Sequence, residues 1–150
     1  MLKKIFLLVV CCSFAFAGQA QIYKPTKWKI TKKKINTTEY EITLTANIEK
    51  GWRLYAPVDN EDGPIGFAVE IGKRKADLVG KVKSKEKANV KYDPIFRKKV
   101  SSFENKVTFT QRIKIKDPKK TKKIIVGYEY MVCDETKCLP PQFKEVILKL

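Results

Sequence analysis

The stretch at residues 38–48, TEYEITLTANI, decides the fold. Its apolar side chains recur at every second position: Tyr40, Ile42, Leu44, Ala46 and Ile48. Threonines, Glu41 and Asn47 fill the places between them. Successive side chains of an extended chain point to opposite faces, so this stretch has one apolar face and one polar face. A helix would scatter the same residues around its circumference. The pattern predicts a half-buried strand. Working outward, NKVTFTQRIKI at 105–115 repeats it, with Val107, Phe109, Ile113 and Ile115 on one face and Lys, Thr and Arg on the other. KKIIVGYEYMV at 122–132 and FKEVILKL at 143–150 read as further strands. IGFAVEI at 65–71, DLVGKVKS at 77–84 and the short GWRLYA at 51–56 fill the middle, and KWKITKKKI at 27–35 reads as the first strand. Breakers fall between these runs: NEDGP at 60–64, YDP at 92–94, KDPKK at 116–120 and LPP at 139–141. No stretch sustains helical periodicity. About eight short strands at this spacing predict an all-β fold, an antiparallel sandwich, with no internal repeat and no second domain.

The N-terminus has a different character. MLKK is a basic start, IFLLVVCCSFAFA is an apolar run, and Ala15, Ala17, Gly18 and Ala20 supply small residues after it. That is the layout of an export signal at residues 1–20, cleaved after Ala17 or Ala20, with the folded domain at 21–150. The run falls short of the roughly 20 residues that a membrane span needs. No later segment is apolar enough to cross a membrane, so no transmembrane span is expected after cleavage. Cys11 follows Val10 and Cys12 follows Cys11, which lacks the small residue that a lipid-accepting cysteine wants before it. The expected location is periplasmic or secreted, where disulfides form.

Of the four cysteines, Cys11 and Cys12 leave with the signal. Cys133 and Cys138 remain, and they allow one intramolecular pairing. The charge is extreme: 32 Lys and Arg against 16 Asp and Glu give a formal +16. Loss of Lys3 and Lys4 leaves 30 against 16, or +14. Such a surface could draw nucleic acid, anionic lipid or acidic proteins. The cations are mostly Lys and are spread along the chain, without an interleaved stripe of arginine and aromatic residues. That favours a solvated basic surface over specific nucleic-acid binding.

The chain contains no histidine, which removes the commonest general base and metal ligand. Two cysteines alone make a poor zinc site, and there is no glycine-rich phosphate loop, so neither metal nor cofactor is expected. The segment 128–143, YEYMVCDETKCLPPQF, is the one strong candidate for chemistry. Its two cysteines bracket Asp134, Glu135, Thr136 and Lys137. A disulfide over so short a loop removes little chain entropy and sits low in the typical range of about 2–4 kcal/mol. The same closeness keeps one thiol ready to resolve a mixed disulfide formed by the other. Close-spaced disulfides also pin hairpins in small exported domains. Spacing leaves a structural staple and a redox pair about even.

The segment resembles the cysteine segment of the N-terminal periplasmic domain of the thiol:disulfide interchange protein DsbD family. An aromatic-rich strand leads into a cysteine, a short acidic loop, a second cysteine and a double proline. GWRLYAPVDNEDGPIG at 51–66 resembles the family's aromatic-Leu-Tyr strand and its Gly-Pro turn. YDPIFRKKVSSFENKVTFTQRIKI at 92–115 resembles its cap loop and the strand after it. The resemblance implies an immunoglobulin-like sandwich with redox cysteines at one end. It implies that Cys138 forms the mixed disulfide with partners and that Cys133 resolves it. Phe96 is the matching position for an aromatic that shields the pair, with Asp93 near the start of its loop. Tyr55 matches a tyrosine beside the cysteines. Without the resemblance, packing is the expected role of Phe96 and Tyr55, and Asp93 would simply start a turn; Trp52 and Tyr92 are expected to pack. The implied partners are thioredoxin-like redox proteins and oxidised periplasmic thiol proteins. The family's membrane-embedded and thioredoxin-like domains have no counterpart in this sequence, so the implied electron donor is a separate, possible membrane, protein. The alternative is a secreted immunoglobulin-like binding module whose disulfide is purely structural.

Overall fold

The computed structural model describes residues 23–58, 63–72 and 74–150. The expected signal at 1–20, with Cys11 and Cys12, lies outside the described residues, as do the first three residues of the NEDGP turn. All regular structure described is β: β1 (Thr26–Lys34), β2 (Glu39–Ile48), β3 (Arg53–Tyr55), β4 (Ala68–Ile71), β5 (Ala76–Ser84), β6 (Asn89–Asp93), β7 (Lys98–Glu104), β8 (Lys106–Ile115), β9 (Lys123–Tyr130), β10 (Val132–Cys133) and β11 (Gln142–Lys149). Every pairing is antiparallel. No helix among the described residues is long and apolar enough to cross a membrane.

Three sheets form, ordered β1-β2-β8-β5, β11-β9-β4 and β10-β3-β7-β6. The alternation that predicted β2 and β8 sets their inward faces. Ile42, Leu44, Ala46, Val107, Phe109, Ile113 and Ile115 are all buried. Gln111 shares that inward register and is buried too. Its amide donates to the carbonyls of Val79, Gly80 and Arg112. Two of those carbonyls sit where the β5–β8 register shifts, so Gln111 satisfies backbone that the irregularity would leave unpaired. Facing this sheet, β9 turns Ile124, Val126, Tyr128 and Tyr130 inward. Trp28 of β1 joins the two layers. Its ring lies 4.9 Å from that of Tyr128, 5.0 Å from Tyr130 and 5.5 Å from Phe67. Phe67 stacks on Phe109 at 3.7 Å. The stack is reached because Gly66 lies against backbone: a Cβ there would meet the Ala56 carbonyl oxygen at 2.5 Å. These layers make an immunoglobulin-like sandwich.

The third sheet packs Val132, Leu54 and Phe103 into the core and carries a region the sequence pattern does not mark. YDP was expected as a turn within a loop, but Tyr92 and Asp93 end β6, which pairs with β7 in a hairpin closed by Pro94–Arg97. Tyr92 does not pack as expected; it is 63% exposed, whereas Trp52 is buried. At Asn105 the backbone takes a φ of 64°, and the chain passes from β7 of this sheet into β8 of the sandwich. Asparagine tolerates this left-handed conformation better than most residues.

Candidate functional site

The third sheet has two chemically different faces, and strand register assigns each residue to one of them. Val132 lies opposite Leu54, and Leu54 opposite Phe103. All three are buried in the hydrophobic core. The neighbouring row is Cys133 opposite Arg53, and Arg53 opposite Glu104. Side chains directly opposite one another share a face, so this row points away from the core. Tyr55, opposite Ser102, belongs to the same outer face. Tyr55 and Cys133 are both fully buried, yet neither is part of the core cluster.

Cys133 and Cys138 form a disulfide, with Cα atoms 4.0 Å apart. Cys133 ends β10, and Cys138 lies opposite it in an isolated antiparallel bridge. The loop between them is a small hairpin: the Asp134 amide donates to the Lys137 carbonyl, and the Leu139 amide to that of Val132. Asp134 folds the loop through its own carboxylate, which accepts from the Thr136 amide at 2.7 Å, the Thr136 hydroxyl at 2.9 Å and the Lys137 amide at 2.8 Å. Those bonds, the Thr136 amide first, hold the Asp134 carboxyl below its ordinary range. The acidic residue beside Cys133 is thus spent on loop geometry. The two cysteines differ in burial: Cys133 is wholly buried and Cys138 is partly exposed.

Tyr55, Asp93 and Phe96 are brought together on the outer face. The Tyr55 hydroxyl donates to Asp93 Oδ2 at 2.7 Å. Asp93 Oδ1 accepts from the amides of Ile95, at 2.9 Å, and Phe96, at 3.4 Å, which winds the Pro94–Arg97 turn around the carboxylate. Phe96 meets Tyr55 edge to face, with ring centroids 5.7 Å apart. The hairpin loop therefore rests on β3, the strand beside the disulfide.

Arg53 completes this group, and the sequence reading missed it. Its Nε donates to Asp93 Oδ2 at 3.2 Å, and Nη2 lies 3.1 Å from the same oxygen. That second contact is a charge contact without hydrogen-bond alignment, because Nη2 is buried and has no hydrogen-bond partner among the described residues. One signal was available in GWRLYA: a strand there puts Arg53 on the same face as Tyr55. Its position opposite Cys133 comes from non-local pairing, which no local pattern reveals.

The electrostatics follow from the geometry. Burial, then the hydrogen bond to Asp93, pushes the Tyr55 hydroxyl up to about 12. Burial alone would raise the Asp93 carboxyl. Hydrogen bonds from Tyr55, Ile95 and Phe96, together with the Arg53 charge, outweigh it and hold Asp93 below the usual range. A cleft of about 390 Å³ opens beside the group, lined by Arg53, Lys91, Asp93, Glu104 and the cysteine-loop residue Glu135 among others. Among the described residues no three His, Cys, Asp or Glu side chains gather to hold a metal ion. What the site does possess is one polarisable S–S bond, with Cys133 buried and Cys138 partly exposed, and a partly buried cation directly across the strand pair from Cys133.

Comparison with known proteins agrees with the fold. The N-terminal periplasmic domain of ScsB from Proteus mirabilis superposes with a TM-score of 0.66 at 13% identity, over 88% of this chain and 49% of that one. The chain thus spans about half the length of that relative. The DsbD N-terminal domain of Neisseria meningitidis, in the reduced form, gives a TM-score of 0.55 at 14% identity over 89% of this chain and 94% of that one. The yeast GGA1 GAE domain gives 0.53 at 7% identity over 87% and 96% of the two chains. At these identities the likenesses show the fold, and one fold hosts several functions. No curated protein matches the sequence. The family model of the thiol:disulfide interchange protein DsbD, N-terminal, matches residues 19–150, so the chain belongs to that family.

Proposed function

We propose that the domain is a periplasmic thiol–disulfide exchange module that passes reducing equivalents through Cys133 and Cys138. The observation that carries this is the unequal burial of the two disulfide-bonded cysteines in a chain of this family. A donor thiolate attacks the accessible Cys138 Sγ. The Cys133–Cys138 bond breaks, a donor–Cys138 bond forms, and Cys133 Sγ departs with the bonding pair as a thiolate. The donor's second thiolate then attacks its own sulfur in the mixed disulfide and releases Cys138. The donor is now oxidised, and the pair holds two electrons. Delivery reverses the order: the Cys138 thiolate attacks an acceptor disulfide, and Cys133 resolves the intermediate. The carrier is the disulfide itself.

The expected donor is a thioredoxin-like protein or domain, and the expected acceptors are oxidised periplasmic thiol proteins. Residues 1–20 serve as the export signal. Phe96 shields the pair until a partner displaces the Pro94–Arg97 turn, and the bond from Tyr55 to Asp93 holds that turn closed. The testing variant is Cys133→Ser, which leaves the accessible thiol without its resolving partner. It is expected to trap covalent partners from a periplasmic extract, released by reductant, while Cys138→Ser traps none. Absence of any trapped partner would favour the rival, a binding module with a structural disulfide.

A further inference from the structure

Reduction of the pair poses a problem of charge. When Cys138 is attacked, Cys133 Sγ leaves carrying a negative charge, and Cys133 is wholly buried. A buried thiolate without water needs a donor or a cation beside it. Asp134, its chain neighbour, is anionic and committed to the loop. Across the strand pair, on the same face, sits Arg53. Side chains in that relation have Cβ atoms about 4.5–5.5 Å apart. Its Nη2 is buried and lies 3.1 Å from Asp93 Oδ2, yet makes no aligned hydrogen bond with any described residue. A buried donor left without an aligned acceptor is uncommon.

We propose that Arg53 is a positioning residue of the exchange reaction: its guanidinium receives the thiolate that leaves at Cys133, and its ion pair with Asp93 links that event to the turn carrying Phe96. The inference rests on the exchange reading above. In the disulfide form Arg53 is held by Asp93 through Nε. On reduction the new thiolate competes with Asp93 for the same cation. A guanidinium suits this double duty because its donors fan out in one plane and its charge is permanent. The charged groups facing it are Asp93 at its head, Glu104 in the next strand and Glu135 of the cysteine loop, which lines the same cleft; the neutral Tyr55 hydroxyl bonds the same Asp93, and Glu104 is itself paired with Lys91 at 3.0 Å. Stabilising the thiolate favours the reduced form, so Arg53 raises the reduction potential of the pair.

The experiment equilibrates the protein with glutathione buffers and reads the fraction reduced, with thiolate absorbance followed against pH. Arg53→Gln is expected to shift the equilibrium at least tenfold towards the disulfide, about 30 mV more negative. It is also expected to raise the pH at which the first thiolate appears. Arg53→Lys, which keeps the charge, is expected to recover most of the shift. Loss of Arg53 alone strands Asp93, so Arg53→Gln/Asp93→Asn serves as the second variant and is expected to show the same direction. An unchanged equilibrium and thiol titration in either folded variant would overturn the role of Arg53 while leaving exchange intact. A wild-type disulfide that no glutathione ratio opens would instead overturn the exchange reading itself, and the role of Arg53 with it.

Discussion

Phe109 and Tyr55 are equally hidden from solvent, but different things hide them. Phe109 lies between the sandwich layers, stacked on Phe67 and met edge-on by Phe103. Nothing in its surroundings needs to move. Tyr55 is on the face of the third sheet that turns away from the core, covered by a turn that a single carboxylate organises. The first kind of burial is apolar and cooperative with the whole fold. The second depends on a few hydrogen bonds and one ion pair, the sort of contact that can open locally while the sandwich stays folded. Under the proposed exchange function the second site suits the chemistry, because a disulfide carrier must be protected at one moment and reachable at the next.

The largest effect should come from the rigid region. Phe109→Ala is expected to cost about 3–5 kcal/mol in urea unfolding, from lost burial and the cavity left behind. Its disulfide should keep the wild-type reduction potential, provided measurement is made where the variant is folded. A changed potential would mean that the two regions are not separable.

Asp93→Ala comes next. It leaves Arg53 and the Tyr55 hydroxyl without their acceptor, at an expected cost of about 2–3 kcal/mol, a little under that of a fully buried pair because Arg53 is partly exposed. The pH dependence has a definite sign. The folded-state pKa of Asp93 is depressed, so its contribution is present above the unfolded value near 4 and is lost as pH falls through the lower folded value. The variant should therefore lose less stability than wild type as pH falls below about 4.

Tyr55→Phe removes one hydrogen bond to a charged acceptor and is expected to cost about 1–2 kcal/mol. Here the sign is reversed. The folded-state pKa of Tyr55 is raised to about 12, so its contribution is complete below the unfolded value near 10 and is lost as pH rises from there to about 12. Tyr128, also raised to about 12 by burial, keeps part of that alkaline loss in the variant. Stability curves of the two proteins measured across the alkaline range would separate the contributions. Phe96→Ala should change stability least, by under about 1 kcal/mol. It should nevertheless speed attack of a small dithiol on the disulfide, read by stopped-flow; an unchanged rate would remove Phe96 from the shielding role.

The rigid region was largely legible in the sequence, for a physical reason. Residues such as Ile42, Leu44 and Phe109 announce their face by alternation because one side of each strand meets only hydrocarbon. The β6–β7 hairpin announced nothing of the kind. Four of the five residues of NVKYD are exposed, and Asp93 alone is buried, so no apolar rhythm marks the strand. The exposed Tyr92 follows from the same cause: at the sheet edge there is no second layer for it to meet. Tyr55, Asp93 and Phe96 were named from family resemblance, not from pattern, and the structure gathers them around one carboxylate. Arg53 escaped both routes. Its meaning depends on which residue lies across the sheet, and that partner, Cys133, is far away along the chain.

The central claim is that Cys133–Cys138 is an exchangeable pair and not a staple. Its reduction potential, measured against glutathione on the wild-type protein, tests this most directly. The account predicts a value above about −300 mV, within the range of exchange proteins. A value well below that, with no mixed disulfide detectable at Cys138, would contradict it.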